Sequence, residues 1–395
     1  MQFSTDQRFI LNLSIVGFFA IFSTTISKNP VLPLYASSLG ANEALIGLIS
    51  AVSPFAGILL SFPVGVLSDH LGKKRLLMLA GGVFLTAPLL YLLVTDPILL
   101  IPVRFFHGMA TAILGPVVSA LIAERFSVTR GERIGQYSSA TLYGRTLAPL
   151  VGGALISLFV IVPGVFRYQS VYLAAFFSGL LVFLLLLKIP DEPKGALKTI
   201  SPAVFKESLV AFRADRRLLA TATVDMGTYF VFGVFETFFP VYLIGIGVEA
   251  YLIGIIFAVQ VLSIAITKPF FGRIADQKDP RYQIGAGVFL LGISVSLIAV
   301  SSSLVLMIVI SLVSGIGISL STVATTKYVA DLAKKEQIGA SMGALSSVMD
   351  IGHSAGPLVA GLLITIFGFG AGFFSCFLLS MVIIIYFGFA TRLIH

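Results

Sequence analysis

The chain has one cysteine, no tryptophan and little charge: Asp, Glu, Lys and Arg make up only 11% of 395 residues. A soluble globular protein carries about 25% charged residues, so this composition excludes that class. Cys376 stands alone inside an apolar run, which rules out an internal disulfide and leaves a metal thiolate site without a second thiolate. No metal is expected at His107 or His353 either, since neither has a second ligand three or four residues further on. Also missing are a Gly-rich phosphate loop ending in Lys-Ser/Thr, a G-x-S-x-G turn and any His/Cys/carboxylate cluster at ligand spacing. Nucleotide-driven pumping by this chain is thereby excluded, and an enzyme or a non-transporting sensor is a remote alternative.

What fills the space is apolar. Hydrophobic residues account for 57% of the chain, and the mean hydropathy is +1.02. A spanning helix needs about 20 mostly apolar residues. Twelve such helices are expected, at roughly 9–36, 45–68, 76–95, 98–122, 134–158, 170–188, 218–243, 251–271, 283–302, 304–328, 338–362 and 370–391. The first run is too long for a cleavable signal and has no small-residue cleavage site.

The net charge of +8 is distributed as membrane topology demands, not as a nucleic-acid surface. Basic residues gather at every second boundary: Lys73, Lys74 and Arg75; Arg125, Arg130 and Arg133; Arg273, Lys278 and Arg281; Lys334 and Lys335. The opposite loops hold Arg167 alone. The asymmetry places both termini in the cytoplasm, for an integral multi-pass protein of the plasma (inner) membrane.

The chain also repeats itself. Pro33, Tyr35, Gly40, Leu45, Gly47, Gly65 and Asp69 recur about 207 positions later as Pro240, Tyr242, Gly247, Leu252, Gly254, Gly272 and Asp276. A polar stretch over 189–217, with a surface helix expected over 202–214, separates the copies. Residues 1–188 and 218–395 thus form two six-helix lobes, and an even helix number makes the repeat parallel. The expected fold is an all-α membrane protein.

Three motifs sharpen this. Gly65-Val66-Leu67-Ser68-Asp69-His70-Leu71-Gly72-Lys73-Lys74-Arg75 resembles the G-x-L-x-D-R-x-G-R-K loop of the major facilitator superfamily, and Gly272 to Asp276 is a worn copy. Arg104-Phe105-Phe106-His107-Gly108 is similar to the family's R-x-x-q-G motif. Helix 5 carries Gly135, Gly144, Ala148, Pro149, Gly152 and Gly153, and helix 11 repeats the spacing as Gly343, Gly352, Gly356, Pro357, Ala360 and Gly361. This resembles the G-x8-G-x3-G-P-x2-G-G pattern of the drug/proton antiporter branches, multidrug and tetracycline efflux among them. Small residues so spaced make a face against which a helix can pack or rock. Helix 1 departs from many of those antiporters: it carries no acid, and Lys28 is its one charge. Coupling through a helix-1 carboxylate is excluded.

Ionisable groups inside spans usually face a cavity or one another. Asp225 and Glu236 of helix 7 are eleven residues apart, nearly three turns, so they share a face roughly 16 Å apart along the axis. Thr228, Tyr229 and Phe232 lie between them and, with Tyr143, Asn29 and Phe235, are candidates for the wall of a solute cavity. The 207 offset aligns Glu236 with Asn29. Glu236 is expected to pair with Lys28 or Arg104 in one state and release it in another; a permanent ion pair is the alternative. Asp225 is a second protonation site or gate, or else a cap or a partner of the linker arginines. Arg145, its repeat partner His353, and Asp350 are coupling candidates. Lys268 is expected to snorkel.

The resemblance implies a secondary active transporter working by alternating access, with a proton exchanged for a small amphipathic organic solute that leaves the cell. Proton-coupled uptake, facilitated diffusion or flipping of an anionic or zwitterionic solute or lipid is the second reading. No cofactor is expected beyond the proton gradient, nucleic acid is not a partner, and one chain suffices.

Overall fold

The computed structural model describes residues 5–126, 129–190, 215–300, 302–332 and 338–391, though not the side chains of 5, 61–63, 65–71, 123, 130–131, 338–341 and 343–344. Among these residues the regular structure is all helical. The expected linker helix over 202–214, and Lys334 and Lys335, lie outside the described residues.

Thirteen α-helices follow in order: α1 Thr5–Ile26, α2 Val31–Ser38, α3 Glu43–Leu71, α4 Lys73–Leu92, α5 Leu100–Arg125, α6 Arg130–Leu158, α7 Phe166–Leu187, α8 Arg216–Gly245, α9 Ala250–Gln277, α10 Pro280–Ser296, α11 Leu304–Leu332, α12 Ile338–Phe367 and α13 Phe369–Ala390. Eleven segments of the described residues are long and apolar enough to cross a membrane, with α1 and α2 counted together as Asp6–Ser38. The helix left out is α6, which is 29 residues long and whose apolar part is diluted by Arg145 and by polar and small residues such as Gln136, Ser138, Thr141, Gly144 and Thr146. Large apolar side chains such as Leu93, Ile161, Ile266 and Phe270 lie exposed on the helices and their ends, as lipid-facing surface requires.

The first expected span is broken. Pro30 has no N–H to offer the preceding turn, and its ring would clash with the carbonyl of Ile26, where α1 ends. Its counterpart α8 contains Pro240 and still runs unbroken for 30 residues. Gly40 and Gly247, 207 positions apart, lie just beyond α2 and α8 at φ +90° and +86°. Only glycine takes that left-handed conformation without a steric penalty.

The helices group into two compact units. The first contains Met1–Gly40, Phe55–Thr199 and Glu249–Ile255; the second contains Ala41–Pro54, Ile200–Val248 and Ile256–His395. The opening turns of α3 and α9 therefore each belong to the other repeat's unit, and these two segments are themselves counterparts at the 207 offset. In the first unit Leu13, Val16 and Ala20 of α1 share a core with Phe84 of α4, Ile113 and Val117 of α5 and Val182 of α7. In the second, Ala220 and Val224 of α8 pack with Ile284 and Val288 of α10, Ala324 of α11 and Ile383 and Phe387 of α13.

Candidate functional site

The second unit is organised around a seam between α8 and α12. A Cβ on Gly352 would meet the Met226 carbonyl, one on Gly356 would meet the Phe230 carbonyl, and one on Gly233 would lie 3.0 Å from the His353 carbonyl oxygen. Glycine at these points lets the two backbones touch, as helices in lipid do when association depends on close packing. The first unit repeats the device, because a Cβ on Gly144 would meet the Phe18 carbonyl. Gly144 and Gly352 are 208 positions apart, and so are Phe18 and Met226.

Between the two α12 glycines stands His353, whose Nε2 lies 2.8 Å from a carboxylate oxygen of Glu236 on α8. The side chains are 17% and 12% exposed, so the pair is largely withdrawn from solvent. The rings of Tyr229 and Phe232 flank the imidazole, with centroids 6.1 and 5.7 Å away. A hydrogen-bonded carboxylate and imidazole can hold one proton on either partner, and a second proton leaves the carboxyl unable to accept as before.

Three turns away the same helix presents Asp225 to α11. Thr325 donates to Asp225 Oδ1 at 3.0 Å, and Thr228 exchanges a hydrogen bond with Ser321 at 2.9 Å. Asp225, Thr228, Thr325 and Ser321 are all buried. The acids of α8 therefore share one stripe but meet different neighbours, Asp225 on α11 and Glu236 on α12. Asp350 is half-buried one turn before His353, and Lys268 lies exposed on α9.

In the first unit Arg104 is 2% exposed, and its hydrogen bond is to Tyr91 Oη at 3.5 Å. Asn29 is buried and Lys28 half-buried in the break between α1 and α2, while Tyr143 and Arg145 are each exposed, on opposite sides of α6. Lys73, which opens α4, forms an ion pair at 2.6 Å with Glu124 of α5. The Asp69 side chain is outside the described ones, and Asp276 is exposed. Pro149 and Pro357 lie buried inside continuous helices. Among the described residues no group of three metal-ligating side chains occurs.

Sequence reasoning names Glu236 and His353 separately and does not join them. The signal is present: His353 lies between Gly352 and Gly356, so it must border whichever helix those glycines meet. The repeat register also shifts from 208 at Phe18 and Met226 to 207 at Pro33 and Pro240, the extra residue being taken up in the break before α2. Lys28 and Asn29 accordingly straddle the place that corresponds to Glu236.

Two units of like helical build, with acids and glycines buried at membrane depth, define the class of two-lobed membrane transporters. Comparison with known proteins fixes the family. The Major Facilitator Superfamily model matches residues 13–259 and 246–393, and the chain belongs to that superfamily. It is an integral multi-pass membrane protein and a non-enzymatic transporter. It is 25% identical over 346 residues to an MFS-type transporter of Methanocaldococcus jannaschii, covering 86% of this chain and 87% of that protein. It is 24% identical over 369 residues to the quinolone resistance protein NorA of Staphylococcus aureus, covering 90% and 89%. Bacterial and archaeal relatives place it in the plasma membrane. Among solved structures, a bacterial homologue of the human lysosomal transporter Spinster superposes with a TM-score of 0.81 at 16% identity, over 98% of this chain and 96% of that one. The nucleoside transporter NupG gives 0.75 at 15%, over 97% and 99%. At such identity these likenesses show the fold.

Proposed function

We propose that this chain is a proton-coupled exporter of a small amphipathic organic solute, working by alternating access as a monomer with both termini in the cytoplasm. The observation that carries the reading is the Glu236–His353 hydrogen bond, set in a glycine seam inside a spanning helix pair. A carboxylate and an imidazole withdrawn from water exchange a proton at low cost only when one of the two access states wets them. Tyr229 and Phe232 beside the pair offer ring surface to an apolar solute, so solute and proton compete for one stretch of α8. The kinship with NorA, named for quinolone resistance, favours export. So does a 31% identity over 169 residues to the multi-drug resistance efflux pump PmrA of Streptococcus pneumoniae, covering 42% of this chain and 40% of that protein.

The test is proton flux in proteoliposomes loaded with a pH-sensitive dye, challenged with lipophilic cations, organic anions and lysolipids. Solute-triggered flux that Glu236→Gln abolishes supports the reading, and its direction separates export from uptake. Solute movement without proton flux overturns the coupling and leaves a facilitator.

A further inference from the structure

Helix α6 carries a cation at membrane depth that the proton-coupling reading does not use. Arg145 stands about 20 Å from either end of the helix, within the hydrocarbon thickness of a bilayer. It is exposed, so there is room for water or a solute group beside it. Among the described residues it makes no hydrogen bond or ion pair, and no acid occurs on α6 within two turns of it. An unpaired guanidinium at that depth is costly against lipid and requires wet surroundings.

The contacts of α6 fix the direction in which Arg145 looks. The exposed apolar stripe of Tyr143, Leu147, Val151 and Leu158 lies roughly 150° round the helix from it. On one flank Tyr137, Thr141 and Gly144 face α1: a Cβ on Gly17 would meet Tyr137 and Thr141, and one on Gly144 the Phe18 carbonyl. On the other flank Pro149, Gly153 and Ser157 face the opening turns of α9 that belong to this unit. Cβ atoms on Gly254 and Gly153 would meet the Pro149 and Ala250 carbonyls, and Ser157 Oγ accepts from the Tyr251 N–H at 3.0 Å. Arg145 therefore looks out between α1 and α9, away from the apolar stripe. One to two turns beyond it on the same side, Ala148, Pro149 and Gly152 are buried, with Gly152 against Ile26. Before it Thr141 and Leu142 are half-buried and Ser138 is exposed. This side of α6 is thus closed just past Arg145 and open toward the start of the helix, with the guanidinium at the closed end.

A lone cation between low-dielectric walls focuses its field and raises the local concentration of anions. The guanidinium fork matches a carboxylate, sulfonate or phosphate through two parallel hydrogen bonds, and it repels a cationic group. We infer that Arg145 is an anion-binding subsite for the transported solute, which is an amphipathic organic acid. The inference rests on the proposed transport of an amphipathic solute and narrows that solute's class.

Site-resolved arginine modification tests this. The full-length protein in proteoliposomes is treated with p-hydroxyphenylglyoxal on both sides of the bilayer, and its modified arginines are quantified by mass spectrometry. Exposed Arg216 and buried Arg104 give the two limits. Arg145 should label near the Arg216 limit, and naphthalene-1-sulfonate should protect it saturably. Naphthalene-1-sulfonamide, the same ring without the charge, should need at least about tenfold more, the effect of losing a hydrogen bond to a charged group. Labelling at the Arg104 limit overturns the wet surroundings. Equal protection by sulfonate and sulfonamide, or protection by neither, overturns the anion site. Protection by lysophosphatidylglycerol alone assigns the guanidinium to a lipid phosphate and overturns the solute subsite. A second readout is exchange of labelled naphthalene-1-sulfonate at equal pH on both sides, which needs no proton coupling. Arg145→Gln should raise its half-saturating concentration at least about tenfold, and Arg145→Lys by less. An unchanged value in Arg145→Gln overturns this inference and leaves proton coupling standing. Exchange that depends on Arg145 without any proton flux overturns the coupling alone and supports the subsite.

Discussion

His353 of α12 and Glu236 of α8 lie within 2.8 Å of each other, held there by glycines that let the two helix backbones touch. If the two side chains handle one proton between them, they act as a unit. Glu236→Gln and His353→Gln should each lower solute-driven proton flux by at least about tenfold, and the double variant should lose no more than either single one. Losses that multiply would mean that the residues act separately. The measurement is initial flux in proteoliposomes at matched protein density.

The seam itself separates two glycines of one motif. A Cβ on Gly144 would meet the Phe18 carbonyl, whereas nothing lies within 4 Å of one on Gly135. Gly144→Val should destabilise the protein by about 1–3 kcal/mol, because backbone cannot move aside as a flexible side chain can. Gly135→Ala should be neutral or stabilise by up to about 1 kcal/mol through helix propensity. Unfolding midpoints of the two variants check this, and similar midpoints would mean that the seam is not closely packed in the membrane.

The contrast shows what is legible in the sequence. The repeat, the apolar runs and the glycine spacing are patterns in one dimension, and they anticipate the helices and the membrane class. The pairing of Glu236 with His353 is a contact across 117 positions. Charge arithmetic points to Lys28 or Arg104 and gives no reason to look for an imidazole, because opposite unit charges attract more strongly than a carboxylate and an imidazole. Arg104 is buried and donates a hydrogen bond to Tyr91 of its own unit. The break before α2 escapes the sequence for a different reason. Proline is tolerated inside membrane helices, and Pro240 shows that tolerance where Pro30 does not.

Asp225 offers a test that separates structure from coupling. Its Oδ1 accepts from the buried Thr325 hydroxyl at 3.0 Å. Thr325→Val removes that donor and should cost about 1–3 kcal/mol of stability, while Thr325→Ser should restore most of it. Asp225→Asn keeps an oxygen for Thr325 and removes the titratable group. Transport that survives Asp225→Asn with its pH profile unchanged assigns Asp225 to packing. A flattened profile with normal stability assigns it to proton handling.

One ion pair at the mouth of a span, with its carboxylate outside it, carries a signed pH prediction. Arg281 donates to both carboxylate oxygens of Asp279, at 2.6 to 3.0 Å, and through Nη1 to the Thr391 carbonyl at 2.8 Å, tying the start of α10 to the end of α13. These bonds hold the Asp279 carboxyl below the usual carboxylate range. A carboxylate with a depressed value stabilises the fold above its unfolded-state value, and the contribution disappears as pH falls through the folded-state value. Both side chains are about one-third exposed, so solvent screening keeps the effect below about 1 kcal/mol. Asp279 also caps α10 by accepting from the Arg281 backbone N–H, and asparagine caps nearly as well. Asp279→Asn should therefore unfold slightly earlier than the wild type at neutral pH, and the two midpoints should converge as the pH is lowered through the acid range. A gap that stays constant with pH would show that the Arg281 contact stabilises the fold without depending on the ionisation of Asp279.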